Sequence, residues 1–137
     1  MIVEDEAAMI AFGERFAENL TVGDWVAIDG PLGAGKTVLC KGILRGFGYE
    51  GEVASPSYAL VHPYDPPSTR VAVVHADLYR INSPDELDEL GLGDDRRDCI
   101  HLVEWASRAG VNYGSPTHII NIQPNDDDSR TIEMKIL

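Results

Sequence analysis

Apolar positions along this chain recur at two different periods, and the alternation between those periods orders its elements. From Glu4 to Leu20, Ala8, Ile10, Ala11, Phe16 and Leu20 fall at helical spacing, and acids in the first turn favour the helix N-terminus. Thr21-Val22-Gly23-Asp24 turns the chain into an apolar run, Trp25 to Asp29, which predicts a short strand. From Val38 to Arg45 the spacing is helical again, with Val38, Leu39, Gly42 and Ile43 placed to face a sheet. Ser57 to Tyr64 and Arg70 to His75 alternate or run apolar as strands. Pro63, Asp65, Pro66, Pro67 and Ser68 mark the turn between them, which predicts an antiparallel hairpin. Ser83-Pro84-Asp85-Glu86 combines a serine cap, proline at the first helical position and glutamate three after the cap, predicting a helix to Gly91. Cys99 to Glu104 reads as a buried strand. Thr117 to Gln123 and Arg130 to Ile136 read as a closing hairpin around Pro124 to Asp128. No repeat, linker or low-complexity segment interrupts this order. The expectation is one α/β domain, residues 1–137, with a mixed parallel and antiparallel sheet flanked by helices.

The junction of the Trp25–Asp29 strand and the helix after it carries the most specific chemistry. Gly30-Pro31-Leu32-Gly33-Ala34-Gly35-Lys36-Thr37 matches G-x-x-x-x-G-K-[ST] in the strand-to-helix position this motif requires. Glycines let the backbone curl until successive N–H groups point at phosphate oxygens, and the helix adds its positive dipole end. Lys36 bridges the β- and γ-phosphates in this arrangement, and the Thr37 hydroxyl ligates Mg²⁺. The simpler alternative is a glycine-rich turn capping an ordinary helix, but it leaves the lysine and threonine unexplained. The expected fold is P-loop NTPase-like, and the expected ligands are a nucleotide and Mg²⁺, with no motif that reads the base.

Such a loop needs a carboxylate at the end of a neighbouring strand to orient the metal and its waters. Two apolar runs end in one: Val71 to Ala76 leads to Asp77, and Ile100 to Val103 leads to Glu104. The residues alone leave open which holds the metal and which positions the attacking water. Each acid could also serve as a strand cap or an ion-pair partner. Ser55-Pro56-Ser57-Tyr58 occupies a region where NTPases often carry a hydroxyl for the γ-phosphate, although serines beside proline also form ordinary turns. Trp105 is placed to stack near the site or to fill the core. His62, His75, His101 and His118 stand singly in strand-like runs and read as satisfied strand histidines, not as metal ligands or bases. Arg80, Arg96, Arg97 and Arg108 read as surface or ion-pair residues, and Asp126-Asp127-Asp128 as a solvated turn.

Composition narrows the class further. Hydrophobic residues at 44% and charged residues at 25% are ordinary for a globular protein. A chain of 137 residues buries roughly two-thirds of its unfolded surface, enough for a real core. No apolar stretch approaches the roughly 20 residues of a membrane span, and acids interrupt the first twenty positions, so neither membrane insertion nor a secretory signal is expected. Cys40 and Cys99 are far apart and unpaired in pattern, which fits buried thiols in a reducing cytoplasm. The net charge of −12 argues against direct high-affinity nucleic-acid binding and requires the loop to concentrate positive potential locally.

Taken in order, GPLGAGKT (30–37), SPSYALVHPY (55–64), HADLYRI (75–81), DELDELGL (85–92) and LVEW (102–105) resemble the TsaE family of small bacterial ATPases, formerly YjeE. The loop is common to many NTPases, whereas HADLYRI followed by ELGL and LVEW is far more restricted. The resemblance implies a part in making threonylcarbamoyladenosine in tRNA, by ATP hydrolysis that acts on the TsaB–TsaD heterodimer, with tRNA engaged only indirectly. By position it implies that Thr37 and Glu104 coordinate Mg²⁺ and that Asp77 and Lys36 serve hydrolysis. It further implies that Pro31, Leu32, Gly33, Ala34, Gly35, Lys36, Thr37, Val38, Ser57 and Trp105 surround the nucleotide. This chain departs from the family pattern in three places. Val38 replaces a second hydroxyl residue after the loop threonine, Ser57 replaces threonine, and Ala106-Ser107 replaces Pro-Glu. Two other activities share such a loop. A small-molecule kinase needs an acceptor pocket and lid for which little length remains, and a nucleotide-gated binding module needs no hydrolysis.

Overall fold

The computed structural model describes residues 1–53, 61–81, 85–86, 97–109 and 115–137. Within these lie β1 (Ile2–Val3), α1 (Glu6–Ala17), β2 (Trp25–Asp29), α2 (Lys36–Gly46), β3 (Val61–Tyr64), β4 (Val73–Asp77), β5 (Ile100–Glu104), β6 (His118–Pro124) and β7 (Arg130–Ile136), with a 3-10 turn at Ala106–Ala109. The strands form one sheet in the order β1-β7-β6-β2-β5-β4-β3. The central strands β6, β2, β5 and β4 run parallel, while β3, β7 and β1 join antiparallel at the two sides. The expected mixed sheet and both expected hairpins are therefore present. The predicted helix from Ser83 to Gly91 lies largely outside the described residues.

The sheet is buried on both faces. Val26, Ile28, Val73, Ile100, Leu102, Ile120 and Ile122 pack under Phe12 and Phe16 of α1 and Leu39, Ile43 and Leu44 of α2. On the other face Trp25, Ala27, Val74, Ala76 and Val103 meet Leu78, Ile81 and Ala106. This two-sided burial is why the parallel strands read as unbroken apolar runs and not as alternating ones.

Boundaries shifted where side-chain chemistry outweighed periodicity. Asp5 caps α1 by accepting the Ala8 N–H at 2.8 Å, so the helix begins after Asp5 and not at Glu4. Its buried stripe is Met9, Phe12, Gly13, Phe16 and Ala17; of the expected Ala8, Ile10, Ala11, Phe16 and Leu20, Phe16 and Leu20 are buried and the other three only half-buried. The reason is α2, which lies backbone against backbone on α1. A methyl group added to Gly42 would sit 2.5 Å from the Ile10 carbonyl oxygen, and one on Gly13 would sit 2.8 Å from the Gly42 carbonyl carbon. A methyl on Gly46 would likewise sit 2.9 Å from the Glu14 carbonyl oxygen, so three glycines, not apolar side chains, set this crossing. The strand expected at Arg70–His75 begins at Val73 and includes Asp77. The short β1, absent from the periodic pattern, pairs with β7.

The chain leaves β2 toward one side of the sheet through α2, and leaves β5 toward the other side to reach β6. The crevice beyond the carboxyl ends of β2 and β5 is thus the point where connections diverge, the usual ligand position in open α/β sheets.

Candidate functional site

The loop between β2 and α2 curls into that crevice. Gly33 and Gly35 take φ values of +76° and +104°, left-handed conformations that side chains rarely tolerate. The Ala34 N–H closes a turn on the Pro31 carbonyl at 3.1 Å. α2 starts at Lys36, so the amides of its first turn have no intrahelical partner and face outward with the dipole. Lys36 Nζ donates to the carbonyls of Gly30 at 2.7 Å and Pro31 at 2.8 Å, and lies 4.1 Å from the centroid of the Trp105 ring. Burial lowers the Lys36 pKa, opposed by the charges of Glu104, Asp77 and Asp29.

Both expected acids arrive at the loop, side by side. In the parallel pairing of β4 with β5, Asp77 is the register partner of Glu104. The Thr37 hydroxyl lies 3.0 and 3.1 Å from the two carboxylate oxygens of Glu104. Asp77 Oδ1 accepts the Tyr79 N–H at 2.9 Å. Burial raises the Asp77 pKa and Glu104 adds to the rise, while the Tyr79 N–H, His75 and Lys36 oppose it. The Trp105 backbone turns sharply after Glu104 with φ +57°, an uncommon conformation for a large residue, and its N–H bonds the Ile28 carbonyl at 2.9 Å. That turn carries the indole over Lys36.

A cavity of about 410 Å³ joins these groups. Leu32 to Val38 line one side, Asp77, Glu104 and Trp105 another, and Asp5, Glu6, Met9, Asp128 and Arg130 complete it. Of the residues expected around a nucleotide, Leu32, Gly33, Ala34, Gly35, Lys36, Thr37, Val38 and Trp105 form the wall. Pro31 acts through its carbonyl on Lys36. Ser57 lies outside the described residues. Ser107, one of the departures from the family pattern, donates its N–H and Oγ to Asp29 Oδ1 at 3.3 and 3.2 Å, tying the 3-10 turn to the end of β2.

Three features were not visible in the sequence. Arg130, from the start of β7, donates Nε to the Ala34 carbonyl at 3.1 Å and an amino group to the Gly33 carbonyl at 3.3 Å, bracing the loop from a distant hairpin. The acid triplet is exposed as expected, yet Asp128 also reaches the cavity wall, so the turn is part of the site. His75 sits in β4 as a strand histidine, and its Nε2 meets Glu104 Oε2 at 2.5 Å, a partner the sequence did not name. Only the alternation along β4, which puts His75 on the face of Asp77, offered a signal for it. Cys40 joins the same buried group, its sulfur within 4.8 Å of the His75 and Glu104 ligand atoms. Burial raises its pKa well above the usual thiol value and the nearby acids add to this, so it stays a thiol and a poor metal ligand.

A parallel-centred α/β sheet with this loop at its switch point and an acid beside the loop threonine defines a P-loop NTPase-like protein. The comparisons with known proteins are narrower. Residues 3–132 match the protein-family model described as "Threonylcarbamoyl adenosine biosynthesis protein TsaE". The chain is 38% identical over 138 aligned positions to the tRNA threonylcarbamoyladenosine biosynthesis protein TsaE of Haemophilus influenzae, covering 96% of this chain and 85% of that one. It is 45% identical over 104 positions to the protein of the same name from Mycobacterium bovis, covering 70% of this chain and 61% of that one. The crystal structure of Bacillus subtilus YdiB superposes with a TM-score of 0.73 at 26% identity, covering 98% of this chain and 81% of that one. The chain belongs to the TsaE family, and its place is in threonylcarbamoyladenosine biosynthesis. Among the described residues no helix is long and apolar enough to cross a membrane.

Proposed function

We propose that this protein is a Mg²⁺-dependent ATP hydrolase that supports tRNA threonylcarbamoyladenosine formation by acting on the TsaB–TsaD heterodimer. The observation that carries this reading is the Thr37–Glu104 contact, a hydroxyl and a carboxylate at 3.0 Å beside a glycine loop and a buried lysine. These are hard oxygen donors of the kind Mg²⁺ selects, so the residues present fit that metal, with Thr37 and Glu104 as its holders. Bound there, Mg²⁺ would neutralise charge on the β- and γ-phosphates.

The remaining chemistry belongs to the chain. The loop amides and Lys36 hold the phosphates, and Lys36 exchanges its bonds to the Gly30 and Pro31 carbonyls for phosphate oxygens. Asp77 orients a water toward the γ-phosphorus. The water oxygen forms the new P–O bond as the bond to the ADP oxygen breaks, and Asp77 accepts the departing proton. Ser57 contributes a hydroxyl to the γ-phosphate, and Trp105 closes over Lys36 against water. The net charge of −12 agrees with a protein that works on other proteins and leaves tRNA to its partners. ATPase activity measured with and without purified TsaB–TsaD tests the proposal. Stimulation by the pair supports it, and ADP formation that depends on a small-molecule acceptor instead would make the protein a kinase.

A further inference from the structure

The Glu104 carboxylate is held from two sides. Thr37 reaches it from α2, and His75 Nε2 meets Oε2 from β4. His75 is fully buried and is not part of the cavity wall, so it cannot touch a nucleotide. It points to the same face of the sheet as the buried Val73, Ile100 and Leu102, with the Cys40 thiol beside it. Its second nitrogen, Nδ1, has no hydrogen-bond partner among the described residues. Burying an imidazole with one nitrogen unmatched is unfavourable relative to an apolar side chain of similar size. The contact with Glu104 is what offsets that burden. A carboxylate only accepts, so Nε2 must carry the proton. A glutamate has three side-chain torsions, and one partner on its hydroxyl side would leave it free to swing.

We propose that His75 is a positioning residue that fixes the Glu104 carboxylate against Thr37, so that the oxygen pair for Mg²⁺ is formed before nucleotide arrives. This rests on the Mg²⁺ reading above. Ligand-orienting partners of this kind commonly change metal affinity by about 10–100-fold when removed.

The test is the Mg²⁺ dependence of ADP affinity, read with a fluorescent ADP analogue on the full chain. In His75→Leu the Mg²⁺ midpoint rises by about tenfold or more, while affinity in EDTA is unchanged. His75→Gln, whose amide nitrogen takes the place of Nε2, keeps the parent midpoint. His75→Asn, one carbon shorter, behaves as the leucine variant. An unshifted midpoint in folded His75→Leu, with the parent responding to Mg²⁺, overturns the positioning role alone. A parent without any Mg²⁺ response overturns the metal reading and this inference together. Should the leucine variant not fold, histidine ¹⁵N spectra of the parent decide: a proton on Nε2 supports the role, and a bare Nε2 lone pair contradicts it.

Discussion

Asp77 and Glu104 are direct register partners at the carboxyl ends of two adjacent parallel strands, yet their surroundings differ. Glu104 is engaged by the Thr37 hydroxyl and the His75 imidazole, whereas among the described residues Asp77 accepts a single bond, from the Tyr79 N–H. Two neighbouring carboxylates in unlike surroundings are a recurring way to separate a metal-holding group from a proton-accepting one.

Asp77→Asn should therefore separate chemistry from binding. ATP affinity stays close to the parent, and the hydrolysis rate falls by about 10²–10⁴-fold, the usual contribution of a positioned general base. Single-turnover phosphate release beside calorimetric affinity checks both. Full turnover in the variant would remove Asp77 from its assigned role.

The same residue predicts a pH signature in stability. Burial raises the folded-state pKa of Asp77, so the folded chain binds more protons than the unfolded chain between the ordinary and the raised value. Stability therefore falls as pH rises through that window, and below the ordinary carboxylate range this penalty is absent. Thermal melts of nucleotide-free Asp77→Asn should show a gain over the parent at neutral pH that shrinks toward pH ~4. A constant difference across pH would contradict the assignment.

Gly42→Ala tests the helix crossing. Alanine gains about 1 kcal/mol in helix propensity, but the added methyl would meet the Ile10 carbonyl oxygen at 2.5 Å. Backbone must move, and overpacking of this kind destabilises by about 1–3 kcal/mol. Urea midpoints should fall. A gain in stability would show that α1 can shift freely away from α2.

Arg130→Leu tests the brace on the loop. Removing the guanidinium leaves the Ala34 and Gly33 carbonyls without it. Loss of charge-assisted bonds at the loop predicts about tenfold weaker ATP binding, with the urea midpoint little changed. Equal loss of stability and affinity would instead make Arg130 a general support of the hairpin.

Residues whose role is set by local chemistry were legible in the sequence. The loop announced itself because Gly33, Gly35, Lys36 and Thr37 act within one turn of chain. The acids were legible because an apolar strand ending in a carboxylate is a local pattern. What remained hidden depends on register and on long-range pairing. Nothing in the spacing says that Asp77 falls beside Glu104, that β7 delivers Arg130 to the loop, or that His75 lies against Glu104. The burial stripe of α1 was legible at Phe16 but not at its glycine, for a related reason: Gly13 carries no hydrophobic signal, yet its missing side chain decides which face meets α2.

The proposed activity requires above all that the loop grip a triphosphate through its amides and Lys36. Titration calorimetry of ATP into the intact chain with excess Mg²⁺ measures this directly. The parent should bind one ATP per chain, and Lys36→Ala, folded by its melting profile, should show no binding. No heat in the parent, or unchanged binding in Lys36→Ala, would contradict it.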